Sequence, residues 1–179
     1  PYCKKCGKPI EKEELEYCAD CARREHVFEE AAGIFVYDQT MQKSLMKCKY
    51  GGRREYLDYY GQMMARHGAK FLKRWQPQAI VPIPLHKTRM RLRGFNQSAE
   101  LAHALGRELS IPVQEHMLEK NRKTRPQKEL EENQRRHNLL GAFSLGKDFH
   151  PLRSIVLVDD VYTTGSTVDE AAKCLKKAG

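Results

Sequence analysis

The fold is decided by residues 154–167, which read Ser154-Ile155-Val156-Leu157-Val158-Asp159-Asp160-Val161-Tyr162-Thr163-Thr164-Gly165-Ser166-Thr167. Residues 155–158 are apolar and mostly β-branched, which is typical of a parallel strand covered on both faces. A helix is predicted to follow residue 167, because apolar residues recur there at helical spacing, at Val168, Ala171, Ala172 and Leu175. The small polar residues between strand and helix therefore form a turn at a helix N-terminus.

This turn has the chemistry of a phosphate site. Free backbone N–H groups and the positive end of the helix dipole both attract an anion there. The acids before the turn, Asp159 and Asp160, suit the hydroxyls of a ribose or a hydrated Mg²⁺, so we favour ribose 5-phosphate with Mg²⁺ as the ligand. The alternative is that both acids only solvate the turn, with Thr164 or Ser166 as the helix cap. The turn residues are Thr163, Thr164, Gly165, Ser166 and Thr167.

Residues 155–167 resemble the phosphoribosyl pyrophosphate (PRPP) signature of type I phosphoribosyltransferases at all thirteen positions. Four further stretches look like the ComF competence family, which includes the GntX-like proteins: residues 81–87, 93–97, 124–127 and 135–143. Proteins of that family pair an N-terminal zinc-binding module with a phosphoribosyltransferase-like domain. They are associated with DNA uptake and natural transformation.

The resemblance implies an α/β fold of the type I phosphoribosyltransferase kind, with a mainly parallel sheet flanked by helices. A length of 179 residues suffices for one such domain and a small appendage. We expect a zinc-binding module at residues 1–24, a linker at 25–30 and the phosphoribosyltransferase-like domain at 31–179. A further parallel strand is expected after the last helix, so a C-terminal piece is expected to be missing.

Position by position, the resemblance makes residues 85–89 the pyrophosphate-binding loop. Lys87 and Arg89 would neutralise the diphosphate of PRPP there, Arg89 in bidentate fashion. A solvated basic loop is the alternative, but the loop follows a predicted strand at residues 79–81, and open α/β sheets bind ligands at such strand ends. In a catalytic domain these cations and Mg²⁺ would stabilise departing pyrophosphate, while Asp159 and Asp160 hold the ribose. The sequence does not identify the acceptor.

The charged stretch at residues 119–134 corresponds by resemblance to a flexible flap over the reacting centre of phosphoribosyltransferases. Three of its cations are candidates for closing over pyrophosphate: Arg122, Lys123 and Arg125. Three residues beyond the flap suit a helix terminus packed beside it: Arg135, Arg136 and Asn138.

Four cysteines near the N-terminus form two pairs, Cys3-x2-Cys6 and Cys18-x2-Cys21, with eleven residues between the pairs. Four thiolates suit tetrahedral Zn²⁺, and so short a segment needs a metal because it cannot bury a stabilising core. Two disulfides are the alternative. His26 is assigned to the linker rather than to the ligands, and Cys48 and Cys174 are expected to be buried hydrophobic residues.

The remaining domain is predicted from periodicity and caps. Residues 32–37 alternate as a strand does, and Asp38 is placed to cap a helix whose inner face includes Leu45 and Cys48. A long helix is predicted after Gly51-Gly52, up to Trp75, and another after the cap Asn96. Residues 113–118 are predicted to be a further strand.

A net charge of +9, from 32 basic and 23 acidic residues, favours polyanionic ligands. It supports an alternative function, a non-catalytic single-stranded DNA-binding adaptor of the uptake machinery that uses the PRPP site as a ligand sensor. Basic loops that converge on the phosphate turn would indicate a small-molecule site, whereas a stripe away from it would indicate DNA. The resemblance implies partners in DNA uptake, a competence helicase among them. We expect a cytoplasmic protein without a membrane span.

The cysteine spacing predicts that the purified protein carries about one Zn²⁺ per chain, because four thiolates complete a tetrahedral shell. Metal analysis by mass spectrometry measures this ratio. Cys18→Ser should unfold residues 1–24 while the α/β core, which has its own apolar interior, stays folded. A metal-free protein with two native disulfides would refute the assignment.

Overall fold

A computed structural model describes residues 1–122, 124 and 138–179. Its helices and strands follow one another in the order α1 (Ala19–Arg23), α2 (Gln39–Tyr50), α3 (Glu55–Trp75), β1 (Ala79–Pro82), α4 (Lys87–Arg93), α5 (Gln97–Leu109), β2 (Leu118–Lys120), β3 (Phe143–Leu145), β4 (Ile155–Val158) and α6 (Ser166–Lys176).

The centre of the fold is the parallel pair of β1 and β4, with Ile80 opposite Val156 and Val81 opposite Leu157. Val113 extends this sheet through a parallel bridge to Ile80. Strands β2 and β3 form a separate antiparallel pair. The prediction of an α/β fold with a parallel sheet flanked by helices is therefore confirmed.

Side chains alternate between two apolar cores because successive residues of a strand point to opposite faces. Ile80 of β1 and Val158 of β4 face helices α3 and α5, where Leu57, Leu101 and Leu105 are buried. Val81 faces the opposite core, which α6 fills with Ala171 and Leu175. The predicted apolar run at residues 155–158 thus lies between helices on both faces.

Two predicted helix caps are confirmed. The Asp38 carboxylate accepts a hydrogen bond from the backbone N–H of Met41 at 2.8 Å, and α2 begins at the next residue. Asn96 caps α5 by accepting from the N–H of Ser98 at 3.2 Å. Asn96 also donates to the carbonyl of Ile83 at 3.0 Å, which ties the start of α5 to the loop after β1.

Two strand predictions need correction. Residues 32–37 form no strand, and Val36 is 62% exposed. No described strand pairs with this segment, which instead crosses α3 so that Ile34 lies beside Gly68. Residues 113–118 are also not one strand, because a turn at residues 115–117 separates the bridge at Val113 from β2. The pattern of apolar residues predicted a strand in both segments. A strand also needs the edge of a neighbouring strand to pair with, and the local pattern does not show whether one is present.

The basic segment after β1 is partly helical rather than a loop. His86 caps α4 by accepting from the N–H of Thr88 at 3.2 Å, and the helix ends at Gly94, whose φ of 76° is the left-handed conformation that glycine adopts readily. Lys87 and Arg89 therefore lie on the first turns of a short helix.

Candidate functional site

The candidate site lies where β1 and β4 end. Because the two strands are parallel neighbours, their carboxyl ends lie at one edge of the sheet, and Ile83 N–H extends the pairing by donating to Val158 O at 2.9 Å. Asp159 and Asp160 follow β4 directly, and the segment leading to α4 follows β1. Acidic and basic candidates thus meet at the edge where open α/β sheets bind ligands.

Asp159 is held by two donors. Its Oδ1 accepts from the Ser98 hydroxyl at 3.2 Å and from the backbone N–H of Asp160 at 2.9 Å. The pKa of Asp159 is raised to about 7. Burial is the largest cause and the charge of Asp160 adds to it, whereas Lys120 and the two hydrogen bonds oppose the shift. This carboxyl group therefore changes protonation near neutral pH.

Asp160 is paired with a cation that sequence reasoning missed. Lys49 Nζ lies 2.5 Å from Asp160 Oδ2, and the two side chains are only 16% and 15% exposed. Lys49 belongs to an acid-free run, residues 39–54, that carries five cations. This basic run was a signal for an anion site in the sequence. Whether Lys49 lies near Asp160, however, depends on how α2 packs in the fold.

Lys120 is a second cation that sequence reasoning missed. Burial lowers the pKa of Lys120 to about 8, the charge of Arg89 lowers it too, and Asp159 opposes the shift. Arg89 itself donates to the backbone carbonyl of Thr124 at 3.1 Å. Lys49 and Lys120 thus place positive charge beside the two acids, and Arg89 lies near Lys120. Lys87 is exposed, and no hydrogen bond or ion pair of the described residues holds its side chain.

The predicted phosphate turn precedes α6 as expected. Gly165, with φ 77°, is the N-cap residue, and no side chain caps the helix. Neither Thr164 nor Ser166 caps the helix, so this part of the alternative is wrong. Their hydroxyls, both buried, hydrogen-bond each other at 2.9 Å. Asp159, Thr163 and Thr167 line one small cavity together with the rest of the turn, residues 161–168.

The four cysteines form a candidate metal centre. Their sulfur atoms all lie within 4.8 Å of one another, and Cys6 Sγ is 3.6 Å from Cys18 Sγ. A tetrahedral Zn²⁺ with bonds of about 2.3 Å requires sulfur separations of about 3.8 Å, so the cluster fits this ion. All four are free thiols, and three of them are buried: Cys3, Cys6 and Cys18.

The neighbouring residues also fit the prediction for the cluster. His26 is not part of it, because its Nδ1 hydrogen-bonds Asp169 Oδ2 at 2.8 Å. Cys48 is buried in the core as expected, and Cys174 is partly buried. Burial raises the pKa of the Cys6 thiol to about 11, so metal binding there must displace a proton.

The predicted flap lies mostly outside the described residues. Its cations Lys123 and Arg125 are among the residues outside, as are Arg135 and Arg136 beyond the flap. Arg122 and Asn138 are described, and the guanidinium of Arg122 donates to the backbone carbonyl of Asn138 at 2.9 Å. A residue within the flap therefore contacts one that lies beyond it.

Known relatives resemble the chain over nearly its whole length. Competence protein F of Haemophilus influenzae is 32% identical over 185 aligned residues, which cover 100% of this chain and 80% of that protein. The chain belongs to the ComF family. Two other ComF relatives are DNA utilization protein YhgH of Escherichia coli, 30% identical over 99% of this chain and 78% of its own, and competence protein ComFC of Bacillus subtilis, 28% identical over 99% and 72%.

Other comparisons of this ComF chain gave no match: no family model matches it, and no solved structure does. Among the described residues, no helix combines the length and the apolar character needed to cross a membrane.

The burial of Asp159 predicts an unusual pH dependence of stability. The folded state favours its protonated form, so this group stabilises the fold at low pH and the contribution is lost as pH rises through about 7. Asp159→Asn is neutral and keeps the oxygen that accepts from Ser98. The free energy of unfolding of Asp159→Asn minus that of the parent should therefore increase by on the order of 1–3 kcal/mol between about pH 5 and about pH 8.

Urea unfolding at several pH values measures this difference. Asp148→Asn, at an exposed position away from the site, is the control and should show no such trend. If the free energies of unfolding of Asp159→Asn and the parent differed by the same amount at all pH values, the raised pKa of Asp159 would be refuted.

Proposed function

We propose that this ComF-family protein binds PRPP with Mg²⁺ through a type I phosphoribosyltransferase-like domain, residues 31–179, and acts in DNA uptake and natural transformation. The single observation that carries the proposal is the edge of the sheet at which Asp159 and the turn around Gly165 line one cavity. Lys49 and Lys120 lie beside the adjoining acids, and Arg89 lies near Lys120. Such a site offers a phosphate cradle, hydroxyl acceptors and diphosphate partners together.

The biological role is supported by the relatives. One is named competence protein F, another competence protein ComFC and a third DNA utilization protein YhgH. These names, from three bacteria, refer to competence and to DNA utilization, and similarity over nearly the whole chain extends that role to this protein as a proposal. The proposal also places the protein in the cytoplasm, with a competence helicase or another uptake protein as its partner.

Each part of PRPP has a matching group in the proposed site. The 5-phosphate would bind the backbone N–H groups of residues 163–167 at the start of α6, where the helix dipole favours an anion. The ribose hydroxyls would donate to Asp159 and Asp160, which are carboxylate acceptors. The diphosphate would bind Arg89 and Lys87 on the first turns of α4.

The carboxylate oxygens at this edge fit Mg²⁺, which prefers oxygen ligands and keeps several waters. Asp159 and Asp160 would hold the hydrated ion, which supplies neutralising charge for the diphosphate. Ser98 and Lys49 keep the two carboxylates in place. In turnover, these residues would orient the ribose and stabilise positive charge that develops at its C1 while Arg89 and Lys87 bind the leaving pyrophosphate.

A second candidate function, single-stranded DNA binding, is favoured by the surface that α2 and α4 share. Two acid-free runs, residues 39–54 and 84–99, meet there. Arg93 joins them: it donates to the Tyr50 hydroxyl at 2.9 Å and its guanidinium lies 5.1 Å from the Tyr50 ring centre. Tyr50 is 59% exposed, so a basic surface with an accessible aromatic ring adjoins the proposed PRPP site. The exposed cations of the two runs include Lys43, Lys47, Lys87 and Arg91.

The PRPP proposal is tested by isothermal titration calorimetry with and without Mg²⁺. Gly165→Val should weaken PRPP binding at least tenfold, because a Cβ at Gly165 would lie 2.5 Å from the Tyr162 hydroxyl and force the turn to change. Gly52→Val is the matched control, since Gly52 has a similar φ of 70° but no atom within 4 Å of its Cβ position. The double variant Asp159→Asn, Asp160→Asn should also bind PRPP at least tenfold more weakly.

Parent-like PRPP affinity in Gly165→Val and in the double aspartate variant would overturn the proposal. Lys87→Ala with Arg89→Ala tests the diphosphate contacts separately and should likewise abolish binding. Release of pyrophosphate with an acceptor would then identify the protein as an enzyme.

The DNA candidate predicts a different pattern. Lys43→Ala with Lys47→Ala should weaken binding of a fluorescent single-stranded oligonucleotide and reduce the slope of log affinity against log salt by about 1–2, because each lost phosphate contact reduces counterion release. The same variant should bind PRPP as the parent does, since both lysines are exposed on α2. Absence of oligonucleotide binding by the parent at low salt would refute the DNA candidate.

A further inference from the structure

Tyr162 belongs to the PRPP-like signature, yet its ring packs toward the four-cysteine cluster. It shares an apolar cluster with Cys3, Cys6 and Cys18. Phe28 meets its ring edge-on with 6.3 Å between the centroids, and Lys8 Nζ lies 5.6 Å from the ring centre. The side chain is therefore enclosed by residues of the N-terminal module and the segment that follows it.

The Tyr162 side chain contacts both sites. A Cβ built at Gly165 would lie 2.5 Å from its hydroxyl oxygen, so the hydroxyl lies directly against the cap of α6. Its ring packs in the cluster that holds Cys3, Cys6 and Cys18. Tyr162 also lines the small cavity at the turn.

A second set of contacts ties the segment after the last cysteine to the same turn. Asp169, on the first turn of α6, accepts from the backbone N–H of Val27 at 2.9 Å and hydrogen-bonds His26 at 2.8 Å. Arg24 donates to the backbone carbonyl of Thr164 and forms an ion pair with Asp169 at 3.5 Å. The phosphate turn is thus bounded on one side by the module rather than by solvent.

We propose that Tyr162 is a positioning residue that joins the four-cysteine metal centre to the phosphate turn, so that metal in the module strengthens ligand binding at the turn. The inference rests on the proposed PRPP function. The module is too small to have a core of its own, so a bound metal would fix the cysteine cluster on which the Tyr162 ring packs. With the ring held there, the hydroxyl stays against Gly165 and the turn keeps its shape.

Loss of the metal would loosen this support. The short module would then lack the ion that holds its cysteines together, and the surface under the Tyr162 ring would no longer be fixed. Linkage between two sites is reciprocal: if metal strengthens PRPP binding, PRPP must strengthen metal binding by the same factor. The coupling can therefore be measured from either site.

The test uses Tyr162→Phe in the full zinc-loaded chain. Phenylalanine keeps the ring against Phe28 and Lys8 and removes only the hydroxyl. PRPP affinity, measured by calorimetry with Mg²⁺, should fall about tenfold while zinc stays at about one per chain. Tyr60→Phe is the matched control. It also removes a tyrosine hydroxyl, which hydrogen-bonds the Ser44 hydroxyl at 2.5 Å, but Tyr60 lies between α2 and α3.

A spectroscopic readout separates coupling from loss of structure. After replacement of zinc by Co²⁺, the thiolate charge-transfer bands should shift in the parent when PRPP is added, and this shift should be smaller in Tyr162→Phe. A further measurement needs no variant: PRPP should slow transfer of zinc from the parent to a chromogenic chelator about tenfold, because the two ligands stabilise each other.

The outcomes distinguish the two proposals. A parent protein that binds no PRPP overturns the proposed function, and the coupling with it. A parent that binds PRPP, together with parent-like affinity in Tyr162→Phe, overturns the coupling alone. If Tyr162→Phe does not fold, chelator transfer in the parent decides, and equal rates with and without PRPP overturn the coupling.

Discussion

Parallel pairing of β1 with β4 is the constraint on which the candidate site depends. It places two chain segments that are about 75 residues apart in sequence at one edge, each leaving its strand with a different charge. Helices α3 and α5 lie on one face of the two strands and α6 on the other, so that β1 is fully buried and β4 is partly buried at residues 155–157 and fully at Val158. The same covering helices supply Ser98 and the start of α6 to the site, so the packing that stabilises the sheet also assembles the proposed ligand-binding edge.

The arrangement of charges at this edge lowers the stability of the fold but suits the ligand that we propose for the site. Two adjacent acids repel each other, and burial disfavours the charge of Asp159. Lys49 and Lys120 compensate only in part, because Lys120 is itself buried and its pKa is lowered. The ligand proposed for this site, with hydroxyls, phosphates and a divalent cation, would supply an opposite charge or a hydrogen-bond partner to each of these groups.

The N-terminal module contributes more than a separate metal centre. Its cysteine cluster is too small to have a core of its own, and it completes one by packing against Tyr162 and Ala172 beside the phosphate turn. The following segment adds polar contacts to Asp169. Metal site and phosphate turn consequently share one packed interface, which is the physical basis for coupling between them.

The sequence by itself determined the elements whose signals are local. Strand β4, the helix after it, the caps Asp38 and Asn96 and the four-cysteine cluster all follow from neighbouring residue types and spacing. The family also followed from short motifs. These features depend on chain geometry within one or two turns, so a linear pattern suffices to predict them.

Only the tertiary structure decided which distant residues meet. Lys49 reaches Asp160 because α2 packs on α3, and no local pattern specifies that approach. Alternation at residues 32–37 predicted a strand that is absent, because strand formation needs a partner edge that local sequence does not reveal. Tyr162 likewise gains its place between two sites only when the N-terminal module packs against α6, since contact across that separation depends on the whole fold.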